Sequence, residues 1–337
     1  MSVKTVKLGG TASNITVGKV AHGLMTVVGH SEDAMLDDEA VFAAIKAGVD
    51  LMPPGVKMFL NSAEFYGPGF STGNLEVLSR FYEKYPDYAD KTFLSVKGAT
   101  KPGTIIFYAL LFLDTVIAAL RGTKRVDLFE MARVDPKVPL EEMIQTLVQL
   151  KNEGKCDHIG MSECRAETLR KANEIHRIAA VEIEVSLWSY EEEETKKVIA
   201  TSEELGIPVI AYSGLLTGTI NNPSDLAEKD FRRTFDRFQE ETMKHNQTIL
   251  EEIKVIATKK QISLPQLALA WVASRGPHVI PLPGSSKPER VVENCLSCNI
   301  ELTQEEQDAI TDILARNEVQ GERYVGGPIK QHLHLWG

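Results

Sequence analysis

Two segments bring together residue types that could do chemistry. KMFLNSAEFYG, residues 57–67, sets Asn61 and Ser62 directly after an apolar run, with Glu64 and the phenol of Tyr66 just beyond. PLPGSSKPERVVEN, residues 281–294, ends an apolar run with Gly284, Ser285, Ser286 and Lys287; Pro288 and Glu289 then open a helix, with Arg290 one turn in. A helix start with exposed amides, two hydroxyls, a lysine and an arginine suits a phosphate, which arginine can hold in bidentate fashion. The same residues read equally as a helix cap with solvated charges. Metal chemistry has less support: Cys295 and Cys298 have ligand spacing without the two further ligands zinc needs, and His332 and His334 lack a third.

These residues need elements to position them, and the chain alternates β-type runs with amphipathic ones. The pattern predicts strands at Val17–Met25, Met58–Leu60, Thr92–Val96, Val126–Met131, His158–Met161, Ala179–Val185, Pro208–Tyr212 and Val279–Leu282. It predicts helices at Asp37–Ala47, Thr72–Tyr85, Ile105–Leu120, Leu140–Asn152, Ala166–His176, Glu191–Glu204, Leu264–Ala273 and Pro288–Cys295, with added helices at Thr242–Lys260 and Thr303–Arg316. Eight strand–helix units read as a parallel sheet with crossover helices, most simply a closed (β/α)8 TIM barrel with extra helices. The 337 residues then form one domain, 1–337. In such a barrel the active site lies at the carboxyl ends of the strands. That rule selects Asn61, Ser62, Glu64 and Tyr66, then Lys97, Arg133 and Asp135, Ser162 and Glu163, Glu182 and Glu184, Tyr212 and Ser213, and the 281–294 segment.

Composition excludes several classes. With 43% hydrophobic and 25% charged residues the chain is a globular protein rather than a disordered one. Its net charge of −10 attracts neither nucleic acid nor an anionic membrane surface. Cys156, Cys164, Cys295 and Cys298 are too few and too unevenly placed for a disulfide framework, and MSVKTVKLGG lacks the apolar segment of a secretory signal, so the cytosol is expected. IIFYALLFLDTVIAAL, residues 105–120, falls short of the roughly 20 residues that span a bilayer. It predicts a core-packed helix, an oligomer or membrane-surface patch being the other reading. The Glu191–Glu194 run predicts the first turn of a helix, where its charges suit the dipole.

NSAEFYG, Lys97 after FLSV, EGKCDHIGMSE, AYSGLLTG and PLPGSSKPERVVEN come in the order and spacing of the aldo-keto reductases, which the chain resembles over nearly its whole length. Within that family LMPPGVKMFLNSAEFYG, VDLFEMARVDPKVP and VIPLPGSS are most similar to the fungal pyridoxal reductases. The resemblance implies NADPH as cofactor and an aldehyde as substrate, pyridoxal reduced to pyridoxine being the favoured case. It makes Tyr66 the acid that protonates the carbonyl oxygen and Lys97 the cation that eases proton loss from the phenol. Ser162 and Glu182 fall to the nicotinamide carboxamide, Tyr212 to the nicotinamide face with Ser213 following, and Gly284, Ser285, Lys287, Arg290 and Asn294 to the adenosine end with its 2′-phosphate. Tails of this family border the substrate pocket, which nominates Trp336 or Tyr324; Arg133 is a further candidate substrate contact, with pairing to Asp135 as its alternative.

The chain departs from the family pattern at three places. Asn61 stands at the family's catalytic aspartate position and Ala132 at its histidine position. The first departure predicts a Lys97 without its ion pair, with Asn61 accepting a hydrogen bond from it instead. The second removes a donor to the carbonyl, a loss of order 100-fold in rate elsewhere, so slow turnover is expected. The third is a short Ser213–Gly214 connection, which predicts fast cofactor exchange. A broad-specificity carbonyl reductase, an NADPH-binding regulatory subunit with little turnover, and a lyase with a Schiff-base lysine are the competing readings.

Overall fold

Period-two alternation builds the barrel. In β4 (Met58–Ala63), β5 (Thr92–Gly98), β6 (Val126–Met131) and β8 (Val181–Glu184), Met58, Leu60, Leu94, Val96, Phe129, Met131, Val181 and Ile183 join the core between strands and helices. Phe59, Phe93 and Leu128 fill the barrel interior instead. Successive residues of a strand face opposite sides, so the inward register continues to Asn61, Ser95, Lys97, Glu130 and Glu182. The computed structural model describes residues 2–28, 36–98, 109–212, 220, 222–226, 228, 230–323 and 335–336.

The parallel sheet runs in sequence order through β3 (His22–Gly23), β4, β5, β6, β7 (Cys156–Ser162), β8, β9 (Val209–Tyr212) and β10 (Val279–Leu282). It closes where Ala21 N donates to Pro281 O at 2.8 Å and Gly23 N to Pro283 O at 2.9 Å. Gly23 also bridges to Gly284, and a Cβ on Gly284 would lie 3.2 Å from the Gly23 carbonyl, so the seam favours a glycine. The helices are α1 (Asp38–Val49), α2 (Gly73–Lys84), α3 (Ala109–Leu120), α4 (Leu140–Asn152), α5 (Ala166–Ile175), α6 (Glu193–Leu205), α8 (Leu264–Ala273) and α9 (Pro288–Leu296), with α7 (Glu240–Lys260) and α10 (Gln304–Arg316) added. Ser263–Gln266 and Thr303–Glu306 capping boxes start α8 and α10, satisfying amides that the helices themselves leave open.

The expected first strand, Val17–Met25, is corrected. β1 (Thr5–Lys7) pairs antiparallel with β2 (Thr16–Gly18), and only His22–Gly23 enters the barrel. The hairpin packs Leu8, Ala12 and Val17 against Phe59, Phe93, Leu128 and Ile280, plugging the end opposite the strands' carboxyl termini. The apolar 105–120 run is described from residue 109 onward. It buries Leu113, Val116 and Leu120, while Ile117 is exposed and Asp114 pairs with Lys155 at 2.7 Å, so the helix has a core face and an outer face. No helix among the described residues is long and apolar enough to cross a membrane.

Candidate active site

The inward polar residues meet above the apolar plug. Lys97 Nζ donates to Asn61 Oδ1 at 2.8 Å and forms a buried ion pair with Glu182 Oε1. The Asn61 amide donates to Glu182 Oε2 at 2.6 Å and reaches Glu130 Oε1 at 3.4 Å, which also accepts from Ser95 Oγ at 3.0 Å. The predicted loss of the lysine's ion pair is therefore corrected: the carboxylate comes from β8 instead of position 61. Burial works against the ammonium, but Glu182, with Tyr66 and Glu130, outweighs it and holds Lys97 well above the usual lysine range.

Tyr66 sits on the turn after β4 with the Lys97 ammonium 5.2 Å from its ring centre. Burial raises its phenol above the ordinary tyrosine value; Lys97 pulls it down, and the nearby glutamates oppose that pull. The phenol stays protonated at neutral pH. It is thus a proton donor beside a fixed cation, the arrangement that stabilises a phenolate left behind by proton transfer. Glu64 on the same turn is pushed by burial up to about 7.

A second cluster lies at the ends of β7, β8 and β9. Glu163 is fully buried at a left-handed backbone position, φ 51°, which is uncommon for a non-glycine residue. Its Oε1 accepts from Tyr212 Oη at 2.7 Å, Arg323 Nη2 at 2.7 Å and Glu184 N at 3.1 Å. Burial pushes its carboxyl up, yet Arg323 and Arg133 together hold it below the usual range. Arg323, from the segment after α10, also pairs with Glu184 and lies 5.7 Å from the Tyr212 ring centre. A cavity of about 220 Å³ opens beside it, lined by Trp188, Glu191, Glu192, Arg237, Arg323 and Leu335, among others.

The turn after β10 opens at the same carboxyl end of the barrel. Ser285 Oγ accepts from Lys287 N at 3.1 Å, and Pro288 starts α9. Lys287 and Arg290 are exposed and form no ion pair among the described residues. His22, missed from sequence, holds this turn from beneath: its Nε2–H donates to Ser285 O at 2.8 Å, which leaves Nδ1 unprotonated. Burial, opposed only by that bond, drives the imidazole from 6.5 down to about 4. Below pH 6.5 the unfolded chain binds a proton that the folded chain refuses, so stability falls as pH drops to about 4. At 1.36 kcal/mol per unit the loss is roughly 3 kcal/mol. Denaturant midpoints measured against pH for wild type and His22→Asn should converge over this window, since the variant lacks that proton site; parallel curves would refute the assignment.

These features meet an independent finding: a profile of the Aldo/keto reductase family matches residues 19–315. The chain belongs to that family. It is 36% identical over 282 residues to probable pyridoxal reductase 2 of Schizosaccharomyces pombe, covering 79% of this chain and 84% of that one. It is 40% identical over 278 residues to an aldo-keto reductase of Gibberella moniliformis, covering 79% and 82%. Among solved structures, a glycerol dehydrogenase from Gluconobacter oxydans superposes with a TM-score of 0.76 at 24% identity, covering 95% and 98%. An aldo-keto reductase from Klebsiella pneumoniae, solved in complex with NADPH, gives 0.66 at 21%, covering 97% and 99%. These two likenesses speak to the fold.

Within this aldo/keto reductase barrel the sequence-nominated residues separate into groups. Asn61, Tyr66 and Lys97 come together, and Glu182 joins them, its carboxylate bonded to Lys97 and Asn61. Ser162 is buried with no hydrogen-bond partner for Oγ among the described residues, an orphan that a ligand amide would satisfy. The Tyr212 ring has the Arg323 guanidinium over it. Gly284, Ser285 and Lys287 lie on the β10–α9 turn, exposed Arg290 in the first turn of α9 and buried Asn294 near its far end. Ser213, Gly214 and Tyr324 lie outside the described residues.

The substrate nominations fare differently. Arg133 donates to the Ala132 carbonyl at 2.6 Å and acts on Glu163, while Asp135 accepts from the Lys137 amide at 2.9 Å. Trp336 is buried and its indole N–H donates to Glu192 Oε1, so it anchors the tail, and neither it nor Arg133 lines the cavity. Of the Glu191–Glu194 run, Glu192 stands at the N-cap of α6 and Glu193 and Glu194 form its first turn, with Glu194 Oε1 accepting from Ala166 N at 2.8 Å. Glu130, Trp188, Arg237 and Arg323 were missed. Only Glu130 left a signal, a glutamate set in the otherwise apolar strand VDLFEM at an inward register position.

Proposed function

We propose that this chain reduces small polar aldehydes with NADPH, pyridoxal to pyridoxine being the favoured case. The observation that carries the reading is the Tyr66 phenol beside a lysine whose counter-ion, Glu182, replaces the family's aspartate. The likeness to probable pyridoxal reductase 2 of Schizosaccharomyces pombe supports the substrate, at 36% identity. When bound, NADPH supplies the hydride. Tyr66 delivers its proton to the carbonyl oxygen, because the alkoxide formed there is far more basic than a phenolate, and Lys97 stabilises the tyrosinate that remains. Ser162 Oγ bonds the carboxamide, and Lys287 and Arg290 bind the 2′-phosphate at the start of α9.

A Schiff-base role for Lys97 needs a neutral amine, which its ion pair opposes. The test is NADPH oxidation with pyridoxal beside a panel of simple aldehydes, run on wild type and on Lys287→Ala/Arg290→Ala. Wild type should favour pyridoxal, and the double variant should lose about 10- to 100-fold in NADPH affinity while NADH is little affected, two charge-assisted contacts being removed. No oxidation with any aldehyde would sink the reductase reading. Equal loss for NADPH and NADH would remove the two cations from the 2′-phosphate.

A further inference from the structure

Lys97 is one buried cation facing two buried carboxyls. Glu182 meets it directly, and Glu130 lies beside Glu182, the same Asn61 amide reaching both at 2.6 and 3.4 Å. Glu130 Oε1 receives the Ser95 hydroxyl, whereas Oε2 is buried and meets no N–H or O–H donor among the described residues. An ionised carboxylate oxygen left in that state would be costly. A protonated one can instead donate, and the carboxyl beside it, reached by the same Asn61 amide, is Glu182.

We propose that Glu130 and Glu182 share one proton and so present Lys97 with a single negative charge, Glu130 being the second half of the counter-ion that holds the lysine beside Tyr66. Glu130 is a positioning residue: it acts on Tyr66 through Lys97. Burial and the charge of Glu182 both keep its carboxyl protonated well above the ordinary range, while Lys97 pulls the other way. Two carboxyls repelling each other in a closed space cannot both ionise against one ammonium, and interacting acids titrate as a pair. The arrangement gives redundancy. If either carboxyl is made neutral, the other can carry the charge, because both lie within reach of Asn61 and the lysine's field.

The inference rests on the reading of Tyr66 and Lys97 as the reacting pair, but its first test does not need turnover. Infrared spectra of the cofactor-free protein at neutral pH, taken as wild type minus variant in H₂O and D₂O, should show the carbonyl stretch of one protonated carboxyl. Glu130→Gln should abolish it by removing the proton's holder. Glu182→Gln should abolish it too, because Glu130 then ionises to serve Lys97. The second test is a cycle of NADPH-dependent aldehyde reduction: each single change lowers kcat by about threefold, and Glu130→Gln/Glu182→Gln lowers it by about 100-fold, leaving the lysine with no counter-ion. A wild type-minus-Glu130→Gln spectrum with no carboxyl band, the Glu64 carboxyl cancelling between the two proteins, overturns the shared proton, even where the double variant fails to fold. A Glu182→Gln variant as impaired as the double overturns the redundancy. If the bands vanish as expected and no aldehyde is reduced by wild type, the paired carboxyls stand and the functional reading falls.

Discussion

Tyr66→Phe should lower kcat/KM for aldehyde reduction by about 1000-fold, within the range general acid catalysis contributes, while NADPH affinity stays within about twofold. That is about 4 kcal/mol of transition-state stabilisation. The variant keeps the aromatic ring, so the contact with Phe65 at 5.5 Å and the packing around the Lys97 ammonium survive, and the change isolates the proton. Glu64 is the rival donor on the same turn, with a carboxyl pushed up to about 7 by burial. The two are separable by pH. If Tyr66 is the donor, wild-type reduction has no alkaline limb below the ordinary phenol range, because the phenol is raised above it. Activity that persists in Tyr66→Phe and falls away above about pH 7 would transfer the proton to Glu64. Steady-state rates across pH, with NADPH titrated by fluorescence, decide between them.

The barrel was legible because its grammar is local: a β-type run, a turn and an amphipathic helix, repeated. Where the repeat failed, tertiary context had overridden it. Val17–Met25 reads as one strand, but it breaks between Gly18 and His22, and the first half pairs back on Thr5–Lys7 to close the barrel floor. The site was half legible. Tyr66, Lys97 and the β10 turn stand at strand ends, where function is looked for, and their motifs carry the family. Glu130 and Glu182 needed depth as well as position. Asn61 looked like a loss because the carboxylate that compensates lies 121 residues away, on β8, and only closure of the barrel brings it to the lysine. Arg323 and Arg237 could not be found at all, since they reach the mouth from segments with no regular pattern, and the sequence does not say which surface arginine turns inward.

That long-range compensation can be measured through Lys97→Met. The methionine has nearly the volume of the lysine stem but no charge, so Glu182 and Glu130 face each other with no cation. Breaking a buried pair by removing one partner costs about 3–5 kcal/mol, so unfolding at neutral pH should shift by that amount. Reduction should fall by about 1000-fold, the tyrosinate having lost its nearest positive charge. The pH dependence carries the distinctive sign. In wild type the lysine's folded value is raised above its unfolded one, so its stabilisation is complete below the usual lysine range and is lost only as pH rises through the folded value. Between about pH 5 and about pH 8 that contribution is flat. In Lys97→Met the carboxyl left uncompensated takes up a proton, its folded value rises above its unfolded one, and the variant gains stability on acidification. The stability gap to wild type should therefore be widest at pH 8 and narrow toward pH 5, read from denaturant midpoints. A gap that is constant across this range would mean that Glu182 stays charged without Lys97, and the counter-ion role drawn for it here would fail.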